Sequence, residues 1–472
     1  MDVARRAGRW VAGALARAGV IDERRLGETL GLAWPRIVTG FAIMSKRTVD
    51  LAVVGWAIGG TAVAGLTLAN AYWMAAKFGA IGLAGGTIAL VSQNYGGGEG
   101  ERAAEVVELG LVAAAALAVP IVALYVLAPR PLVALLGADP TAIGHGTAYL
   151  VVVAPGLLFE FLNLVASRTY AGVGDTVTPM AVRAGGAALN VALSVGFVFG
   201  AGMGVEGAAL GTTLSTAAVS VVFAWGMTGR SYGGRGASPV PVGVPSLDFD
   251  PALVRQLLRV SAPLVGRRTA EGLVVFPLLA IASTFGPVAV AAVGVGRQVR
   301  ALLNSFSWGF SIASSTLVGQ RLGANEEGEA EAYGAGITRL SLVVYLLAAG
   351  VTVLVAEPLA GVFVDDPADV ALSAAFVAVA AVSAVPLGVN ASATGALRGA
   401  GDTRVPFLAS LLGLYAFALP VAWLGTVTPL GVLALQVALL VETTVPMLVN
   451  LHRFRTNRWK AVSRGYRPNV GD

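Results

Sequence analysis

The chain has 472 residues, of which 56% are hydrophobic and 12% are charged, and its mean hydropathy is +0.76. Soluble globular proteins are about 45–50% apolar and about 25% charged, so this composition excludes a cytosolic enzyme or a secreted domain. The chain has no cysteine and two histidines, His145 and His452. Disulfides, thiolate nucleophiles, a histidine metal centre and a Ser-His-Asp triad are therefore excluded as well.

Twelve apolar stretches follow one another along the chain, and each is long enough for a membrane crossing of about 20 residues. Their approximate ranges are 33–58, 61–92, 104–128, 146–168, 178–200, 205–228, 254–284, 287–319, 334–356, 370–397, 404–424 and 428–450. A transmembrane β-barrel would instead need alternating segments of about ten residues. The sequence predicts an all-α polytopic membrane protein with twelve transmembrane helices.

The basic residues concentrate at the two ends and in the middle of the chain, in 1–30, 229–260 and 451–472. The positive-inside rule then places both termini and the middle connection in the cytoplasm, in a multi-pass protein of the cell membrane. The first segment is either an interfacial amphipathic helix or a simple basic tail. Anionic lipid accounts for the net charge of +5 without nucleic acid or an acidic protein partner.

An internal repeat relates the two halves of the chain, and all of its matches share one constant offset in residue number. Val91–Gln93 matches Val318–Gln320, and Gly172–Thr176 matches Gly399–Thr403. Six spans in each half give both halves the same orientation, so the repeat is parallel.

The repeat predicts two pseudo-symmetric lobes of six helices, an N-lobe at 31–228 and a C-lobe at 253–450. The polar segment 229–252 is the linker between them. A substrate path is expected between the lobes, near the membrane midplane.

Four residues of the repeated motifs are interpreted as architectural, with direct substrate contact as the alternative. Gln93 and Gln320 are expected to close helix C-termini ahead of glycines. Asp175 and Asp402 are expected to cap the helices that follow them.

These features together resemble the multidrug and toxic compound extrusion (MATE) family. The matching residues are the doubled Val-x-Gln-x-x-Gly and Gly-x-Gly-Asp-Thr-x-x-Pro motifs, and Pro35, Asp50 and Gly55 in the first span. The resemblance covers residues 33–450. It implies an exporter of organic cations and other amphipathic compounds, which exchanges them for H⁺ or Na⁺ by alternating access and uses no cofactor.

Two acidic residues lie inside apolar stretches, each one helical turn after a pair of bases. The groups are Asp50 with Lys46 and Arg47, and Glu271 with Arg267 and Arg268. A charge at a membrane helix centre costs about 2.5–3.5 kcal/mol on insertion scales, so it normally has a function or a partner. Either these carboxylates bind the coupling ion, or each group is a static ion pair. The resemblance favours the first, because family acids in spans one and seven take part in coupling.

The resemblance adds two neutral residues to the Asp50 site, since Asn190 and Thr212 match polar positions of the family's N-lobe cation site. Their oxygens suit a monovalent cation or a protonated acid. The family's second acid, four residues after Asn190, is here Ser194, which we assign to a possible substrate cavity. Because one carboxylate is missing, H⁺ is preferred over Na⁺, although Na⁺ near Asp50 stays open.

Other polar residues in the apolar stretches are candidates for the substrate cavity. Glu160 stands alone at a position whose repeat mate is Leu387. Asn163 and Asn390 lie one turn further on, where substrate contact and interhelical hydrogen bonds are equally expected. Lys77 either snorkels or binds an anion. Four arginines are expected to reach the inner headgroups, namely Arg183, Arg297, Arg300 and Arg339.

The leading hypothesis is a monomeric antiporter that exports amphipathic or cationic small molecules in exchange for H⁺ or Na⁺, with membrane lipid as its other partner. The alternative within the same superfamily is a lipid-linked-sugar flippase, which would need a cleft dense in cationic residues. An intramembrane enzyme would need a nucleophile with a base, or a metal cluster, and the sequence offers neither.

Overall fold

The computed structural model describes residues 2–136, 139–232, 234, 236–243, 249–362 and 367–466, with side chains at these positions except 2–9, 44–48, 367 and 368. Within these ranges the protein is almost entirely helical and has no β-strand.

The described residues of the first half of the chain form eight α-helices. They are α1 (Asp2–Arg17), α2 (Glu23–Ala57), α3 (Gly60–Gly96), α4 (Gly100–Leu127), α5 (Pro129–Leu136), α6 (Pro140–Gly172), α7 (Val177–Val195) and α8 (Gly204–Met227). A π-helical segment, Gly196–Gly200, continues α7.

The second half repeats this order. Its described helices are α9 (Pro251–Leu273), α10 (Val275–Ser283), α11 (Pro287–Gly323), α12 (Glu327–Leu354), α13 (Ala356–Ala360), α14 (Pro367–Gly399), α15 (Arg404–Leu411), α16 (Leu419–Val427), α17 (Leu433–Arg455) and α18 (Arg458–Arg464). A π-helical segment, Leu412–Ala418, joins α15 to α16. Helices α3 and α11, α4 and α12, and α6 and α14 begin and end at positions that the offset of the repeat relates.

Nine helical segments in the described part of the chain are long and apolar enough to cross a membrane. Helix α2, the pair α9–α10 and helix α11 occupy the positions of the other three predicted spans. The count of twelve stays a prediction.

Helices α9 and α10 together correspond to the single helix α2. The break follows Leu273, because Pro277 lacks a backbone N–H and its ring clashes with the carbonyl four residues earlier. The repeat places Asp50 of α2 at the position equivalent to Pro277.

The chain forms two compact units. The continuous unit is Val38–Val265, and the split unit joins Met1–Ile37 to Gly266–Asp472. The limits of these units differ from those predicted for the N-lobe and the C-lobe.

The start of the chain belongs to the split unit because it contributes to that unit's core. Ile21, Leu26 and Leu32 are buried in one cluster with Phe310 and Tyr333. Leu15 of α1 and Val20 pack against the same cluster. Since this cluster buries its apolar side chains, the N-terminal segment is a packed part of the fold.

The division of the chain into units falls at related positions in two helices. The boundary between the units follows Ile37 in α2 and Val265 in α9. The repeat relates Ile37 to Leu264, so the two boundaries are one residue away from equivalent positions. In the continuous unit, a Cβ on Gly82 of α3 would lie 2.5 Å from the backbone nitrogen of Val265. In the split unit, a Cβ on Gly309 of α11 would lie 2.7 Å from the carbonyl oxygen of Ala33. The part of each helix that precedes this division therefore packs on an equivalent glycine.

The described part of the predicted linker packs on the continuous unit. The Tyr170 hydroxyl donates to the Gly236 carbonyl at 2.7 Å, and the Val242 backbone N–H donates to the Met227 carbonyl at 2.8 Å. Val240 is fully buried. These contacts hold the segment in place although its composition is that of a loop.

Basic residues near both ends of the chain form ion pairs with acidic residues in the first turns of α12. Arg24 and Arg25 both pair with Glu329, at 2.8 and 2.9 Å. In α18, Arg464 pairs with Glu327 at 2.8 Å. These ion pairs tie both ends of the chain to the split unit.

Candidate ion-coupling and binding sites

Four polar residues from three helices meet inside the continuous unit, and we call them the Asp50 cluster. They are Asp50 on α2, Asn190 and Ser194 on α7, and Thr212 on α8. The Ser194 hydroxyl donates to Asp50 Oδ1 at 3.1 Å, and the Thr212 hydroxyl donates to Asp50 Oδ2 at 3.4 Å. Between 0% and 7% of each residue is exposed. The structure thus brings Ser194 to Asp50, whereas the sequence interpretation grouped it with Glu160.

The Asn190 amide completes this cluster. Both of its polar atoms are satisfied when Nδ2 donates to Asp50 Oδ1 at 3.2 Å and the amide oxygen accepts from the Thr212 backbone N–H at 3.3 Å. Neutral donors therefore reach both oxygens of one carboxylate. Because hydroxyl groups can donate or accept, Ser194 and Thr212 can solvate either a charged or a protonated Asp50.

A close helix contact positions the Asp50 cluster. A Cβ on Gly211 of α8 would lie 2.8 Å from both the backbone nitrogen and the hydroxyl oxygen of Ser194. Glycine therefore allows α8 to approach α7 closely at the level of the carboxylate. The predicted partners Lys46 and Arg47 lie outside the described side chains.

Glu271 of α9 pairs with the two bases that precede it on the same helical face. Arg267 Nε lies 2.8 Å from Glu271 Oε1, and Arg268 Nη1 lies 2.8 Å from Oε2. A third guanidinium, which sequence reasoning missed, is Arg398 of α14, close enough for its charge to interact with those of Arg267 and Arg268. We call these four residues the Glu271 cluster.

Arg398 is held by neutral groups. Its Nη2 donates to the Ser311 carbonyl at 2.9 Å, and its Nε donates to the Ser315 hydroxyl at 3.2 Å. A Cβ on Gly395 would lie 2.5 Å from the Ser311 carbonyl oxygen, so α14 packs closely on α11 here. Among the residues that the structure describes, no carboxylate forms an ion pair with Arg398.

Helix α9 is fixed near Glu271 by the helix α15 and the π-helical segment that follows it. A Cβ on Gly266 would lie 3.0 Å from the Phe407 ring, and the Tyr415 hydroxyl donates to the Ala270 carbonyl at 2.9 Å. Tyr415 lies in the π-helical segment Leu412–Ala418. Such segments are frequent at functional sites, and this one supports the backbone next to Glu271.

Glu160 of α6 does not stand alone, contrary to its interpretation from sequence. Lys77 Nζ lies 2.7 Å from Glu160 Oε1, and Arg183 Nη1 lies 3.1 Å from Oε2. The Arg183 Nε also donates to the Ser167 hydroxyl at 3.1 Å. Lys77 and Arg183 are therefore ion-pair partners rather than contacts to headgroups. These three charged residues form the Glu160 cluster.

A further buried acid, Glu442 of α17, was missed by the sequence analysis. Arg300 Nη2 pairs with Glu442 Oε1, and Arg297 Nη1 lies 3.6 Å from Oε2. Arg297 and Arg300 are therefore also occupied within the fold, and Arg339 donates to the Gly19 carbonyl. The signal that could have identified Glu442 is the cost of a single acid in an otherwise apolar stretch. We call Glu442, Arg297 and Arg300 the Glu442 cluster.

The two asparagines of the predicted cavity connect neighbouring helices. Asn163 Nδ2 donates to the Thr216 carbonyl at 3.0 Å, and its Oδ1 accepts from Ser220 at 2.8 Å. Asn390 Oδ1 accepts from Asn450 Nδ2 at 2.8 Å. The geometry agrees with the interhelical alternative.

The doubled glutamines occupy equivalent places at helix ends. The Gln93 carbonyl accepts from Gly97 and the Gln320 carbonyl accepts from Ala324, both at 3.0 Å. Each helix therefore closes through the glutamine's backbone.

The doubled aspartates differ from each other. Asp175 Oδ1 accepts from the Thr178 backbone N–H at 2.9 Å, in the first turn of α7. Asp402 Oδ2 instead pairs with Arg453 Nε of α17 at 2.6 Å. The position equivalent to Arg453 in the other half is Gly226, so only the second aspartate has this partner.

A protein-family model described as MatE matches residues 35–195 and 269–424 of this sequence. The two ranges cover well over half of the chain. This chain belongs to the MatE family. Together with the candidate spans, membership in this family makes it a multi-pass membrane protein.

The chain is also similar in sequence to proteins that it matches over nearly their whole length. The chain is 30% identical to a "Probable multidrug resistance protein NorM" of Deinococcus radiodurans, over 90% of this chain and 94% of the relative. It is 28% identical to a protein of the same description from Rhodopseudomonas palustris, over 94% of both chains.

Solved MATE structures share the fold. A Vibrio cholerae MATE transporter, VcmN in the bent form, superposes with a TM-score of 0.85 at 21% identity, over 94% of this chain and 99% of that one. A crystal structure of MATE in the bent conformation also gives 0.85, at 20% identity, over 94% and 97%.

Some residues of the charged clusters lie inside the ranges that the MatE model matches, and others lie outside them. Asp50 and Glu160 lie inside the matched ranges, whereas Arg267, Arg268 and Glu442 lie outside them. Asp50, Asn190 and Ser194 of the Asp50 cluster are therefore within the part of the chain that the family model describes, whereas Thr212 and the two arginines before Glu271 are not.

Proposed function

We propose that this MatE chain is a secondary active multidrug transporter, which exports amphipathic small molecules in exchange for H⁺, with Na⁺ as the alternative coupling ion. The descriptions of the relatives support multidrug export. In this proposal the chain acts as a monomer in the cell membrane, with both termini in the cytoplasm and with alternating access of two lobes.

The observation that carries the proposal is the environment of Asp50. One carboxylate is buried on α2, at the position of the first predicted span, within reach of the neutral polar groups of Asn190, Ser194 and Thr212. A charge in such a place is costly, so binding of H⁺ or Na⁺ would change the energy of the site substantially. Among the described side chains the cluster has one carboxylate, which is fewer charged oxygens than a dedicated Na⁺ site would use, and this favours H⁺.

The test is transport by the purified full-length chain in liposomes, with a proton gradient and a sodium gradient imposed separately. Rhodamine 123 and fluorescein serve as a cationic and an anionic dye of similar size. We expect the proton gradient to accelerate export of at least one dye, and Asp50→Asn to abolish that acceleration.

Asp139→Asn is the matched control. Asp139 is exposed, and its carboxylate accepts from the Ala142 backbone N–H at 2.6 Å, a role that an amide oxygen can take over. Gradient-driven transport should survive in this variant. Unchanged transport by Asp50→Asn would disprove the coupling role, and acceleration by the sodium gradient alone would replace H⁺ by Na⁺.

A second candidate function, flipping of a lipid-linked sugar phosphate, is favoured by the charge of the split unit. Its Glu271 and Glu442 clusters contain five arginines and two glutamates. Phosphate groups are common partners of arginine. Scrambling of a labelled lipid phosphate without export of either dye would support this candidate over the multidrug transporter.

A further inference from the structure

The Glu271 cluster has more positive charge than its own carboxylate can neutralise. It contains the three guanidiniums of Arg267, Arg268 and Arg398 and one acid. Guanidinium groups stay charged in proteins, so two positive charges are in excess. In membrane helices this excess is costly unless a counter-charge is supplied.

The cluster also has unused hydrogen-bond donors. Arg267 gives Glu271 its Nε, and Arg268 gives its Nη1. Within the described part of the chain, the two Nη groups of Arg267 and the Nε and Nη2 of Arg268 have no protein acceptor. Because a guanidinium can bind carboxylate, sulfonate or phosphate through two parallel hydrogen bonds, these free donors suit an anion.

The same groups are accessible. Arg268 has 37% of its side chain exposed and Glu271 has 28%, whereas Arg267 has 12%. Arg398 is nearly buried and is held by Ser311 and Ser315. An anion can therefore reach Arg268 directly, and the fixed charge of Arg398 adds to the attraction.

Apolar surface begins next to this charge. Tyr415, which donates to the carbonyl of Ala270, also lines an open apolar groove of about 680 Å³ in the split unit. Leu408 and Leu412 line the groove as well. A molecule with an acidic group and an apolar body would match both features.

We infer that Arg267, Arg268 and Arg398 form a binding site for the acidic group of an amphipathic organic anion, with Glu271 occupying the site when the ligand is absent. This inference rests on the proposed function and assigns its substrate class. The acidic group can belong to a free small molecule or to a lipid headgroup, because both carry the same chemistry.

The test compares binding of fluorescein and rhodamine 123 to the full-length chain in phosphatidylcholine nanodiscs, by fluorescence anisotropy. We expect Arg268→Gln to weaken fluorescein binding about tenfold or more, as loss of a charged hydrogen-bond donor does, and to change rhodamine 123 binding less than twofold. Glu271→Gln should strengthen fluorescein binding, because it removes the competing carboxylate. Arg398→Gln should weaken it, and melting curves check that this buried variant folds.

Arg464→Gln is the control, because Arg464 is an exposed arginine in an ion pair with Glu327, outside the Glu271 cluster. It should bind both dyes as the unaltered chain does. Unchanged fluorescein binding in Arg268→Gln would overturn the inference, as would weaker binding in Glu271→Gln.

Nanodiscs with phosphatidylglycerol distinguish the two sources of the acidic group. If this lipid competes with fluorescein, and if the competition disappears in Arg268→Gln, a lipid headgroup occupies the site. If the lipid does not compete with fluorescein, the ligand is a free anion. Failure of the proposed function has a different signature: gradient-driven export of both dyes would be absent, while arginine-dependent fluorescein binding would persist.

Discussion

Gly82 and Gly309 occupy equivalent positions in the repeat, and each lies against the backbone of a helix just before the division between the units, α9 for Gly82 and α2 for Gly309. The distances from a Cβ to the nearest backbone atom would be 2.5 Å at Gly82 and 2.7 Å at Gly309. No side chain fits at either place, so both halves of the chain require glycine here. Neither glycine belongs to the repeated motifs.

Gly309→Ala should therefore destabilise the split unit. The added methyl group would overlap the Ala33 carbonyl, and such overpacking costs about 1–3 kcal/mol. The measurement is the thermal unfolding midpoint of the purified chain in detergent. Gly294→Ala in the same helix is the control, because nothing lies within 4 Å of its added Cβ. Equal midpoints for the two variants would contradict the predicted overlap.

Ser194→Asp tests how the number of carboxylates selects the coupling ion. Ser194 already donates to Asp50 Oδ1 at 3.1 Å, so an acid here would place a second negative charge in the Asp50 cluster. We expect export to become sensitive to an imposed sodium gradient, because Na⁺ prefers several oxygen ligands that include charged ones. Ser194→Asn, which adds the same bulk without charge, should stay insensitive. A sodium response in both variants would exclude charge as the cause.

Glu160→Gln should destabilise the continuous unit strongly. It would leave the largely buried Lys77 and Arg183 without their counter-charge, and breaking a buried ion pair on one side costs about 3–5 kcal/mol. Adding Lys77→Gln restores the original net charge and should recover part of the loss. Both variants are compared by thermal unfolding. A double variant less stable than Glu160→Gln would show that charge balance is not the main contribution.

Asp22→Ala should weaken the start of α2, because Asp22 Oδ1 accepts from the Arg25 backbone N–H at 2.9 Å. Loss of such a cap costs about 1 kcal/mol. Burial raises the pKa of Asp22, but this hydrogen bond and the charges of Arg25 and Arg24 outweigh it and hold the pKa below 3.8.

The stabilising effect of Asp22 is therefore present above the ordinary pKa of an aspartate and is lost as pH falls through the lower folded-state value. The difference in unfolding midpoint between Asp22→Ala and the unaltered chain should be larger near pH 7 than at strongly acidic pH. Asp22→Asn keeps a capping oxygen and should lie between the two. A pH-independent difference would mean that only the cap, and not the charge, contributes.

The regular part of the fold was predictable because its signal is local. Apolar runs of about 20 residues mark membrane helices. The offset between the repeated motifs is also the offset between the ends of α3 and α11. The limits of the compact units were not predictable. They depend on the burial of Ile21 and Leu26 against Tyr333, a contact between distant parts of the sequence that leaves no periodic pattern.

The candidate sites were likewise predictable only where their residues are close together in the sequence. Arg267 and Arg268 precede Glu271 by one helical turn, so their pairing is readable from spacing. Glu442 and Arg300 are distant in sequence, and Arg398 approaches α9 only through the packing of α14, so no local pattern joins them. Ser194 was read as the loss of an acid, whereas its hydroxyl donates to Asp50.

The membership of residues 1–37 in the split unit has a consequence for biosynthesis. Ile21 and Leu32 pack with Phe310, Tyr333 and Tyr345, which leave the ribosome much later, in the second half of the chain. At about 5–20 residues per second, Ile21 and Leu32 are synthesised on the order of 15–60 s before the residues that they pack against. A chain cut within the linker would yield two fragments, each lacking part of one unit, so we expect functional protein only when both fragments are made in the same cell.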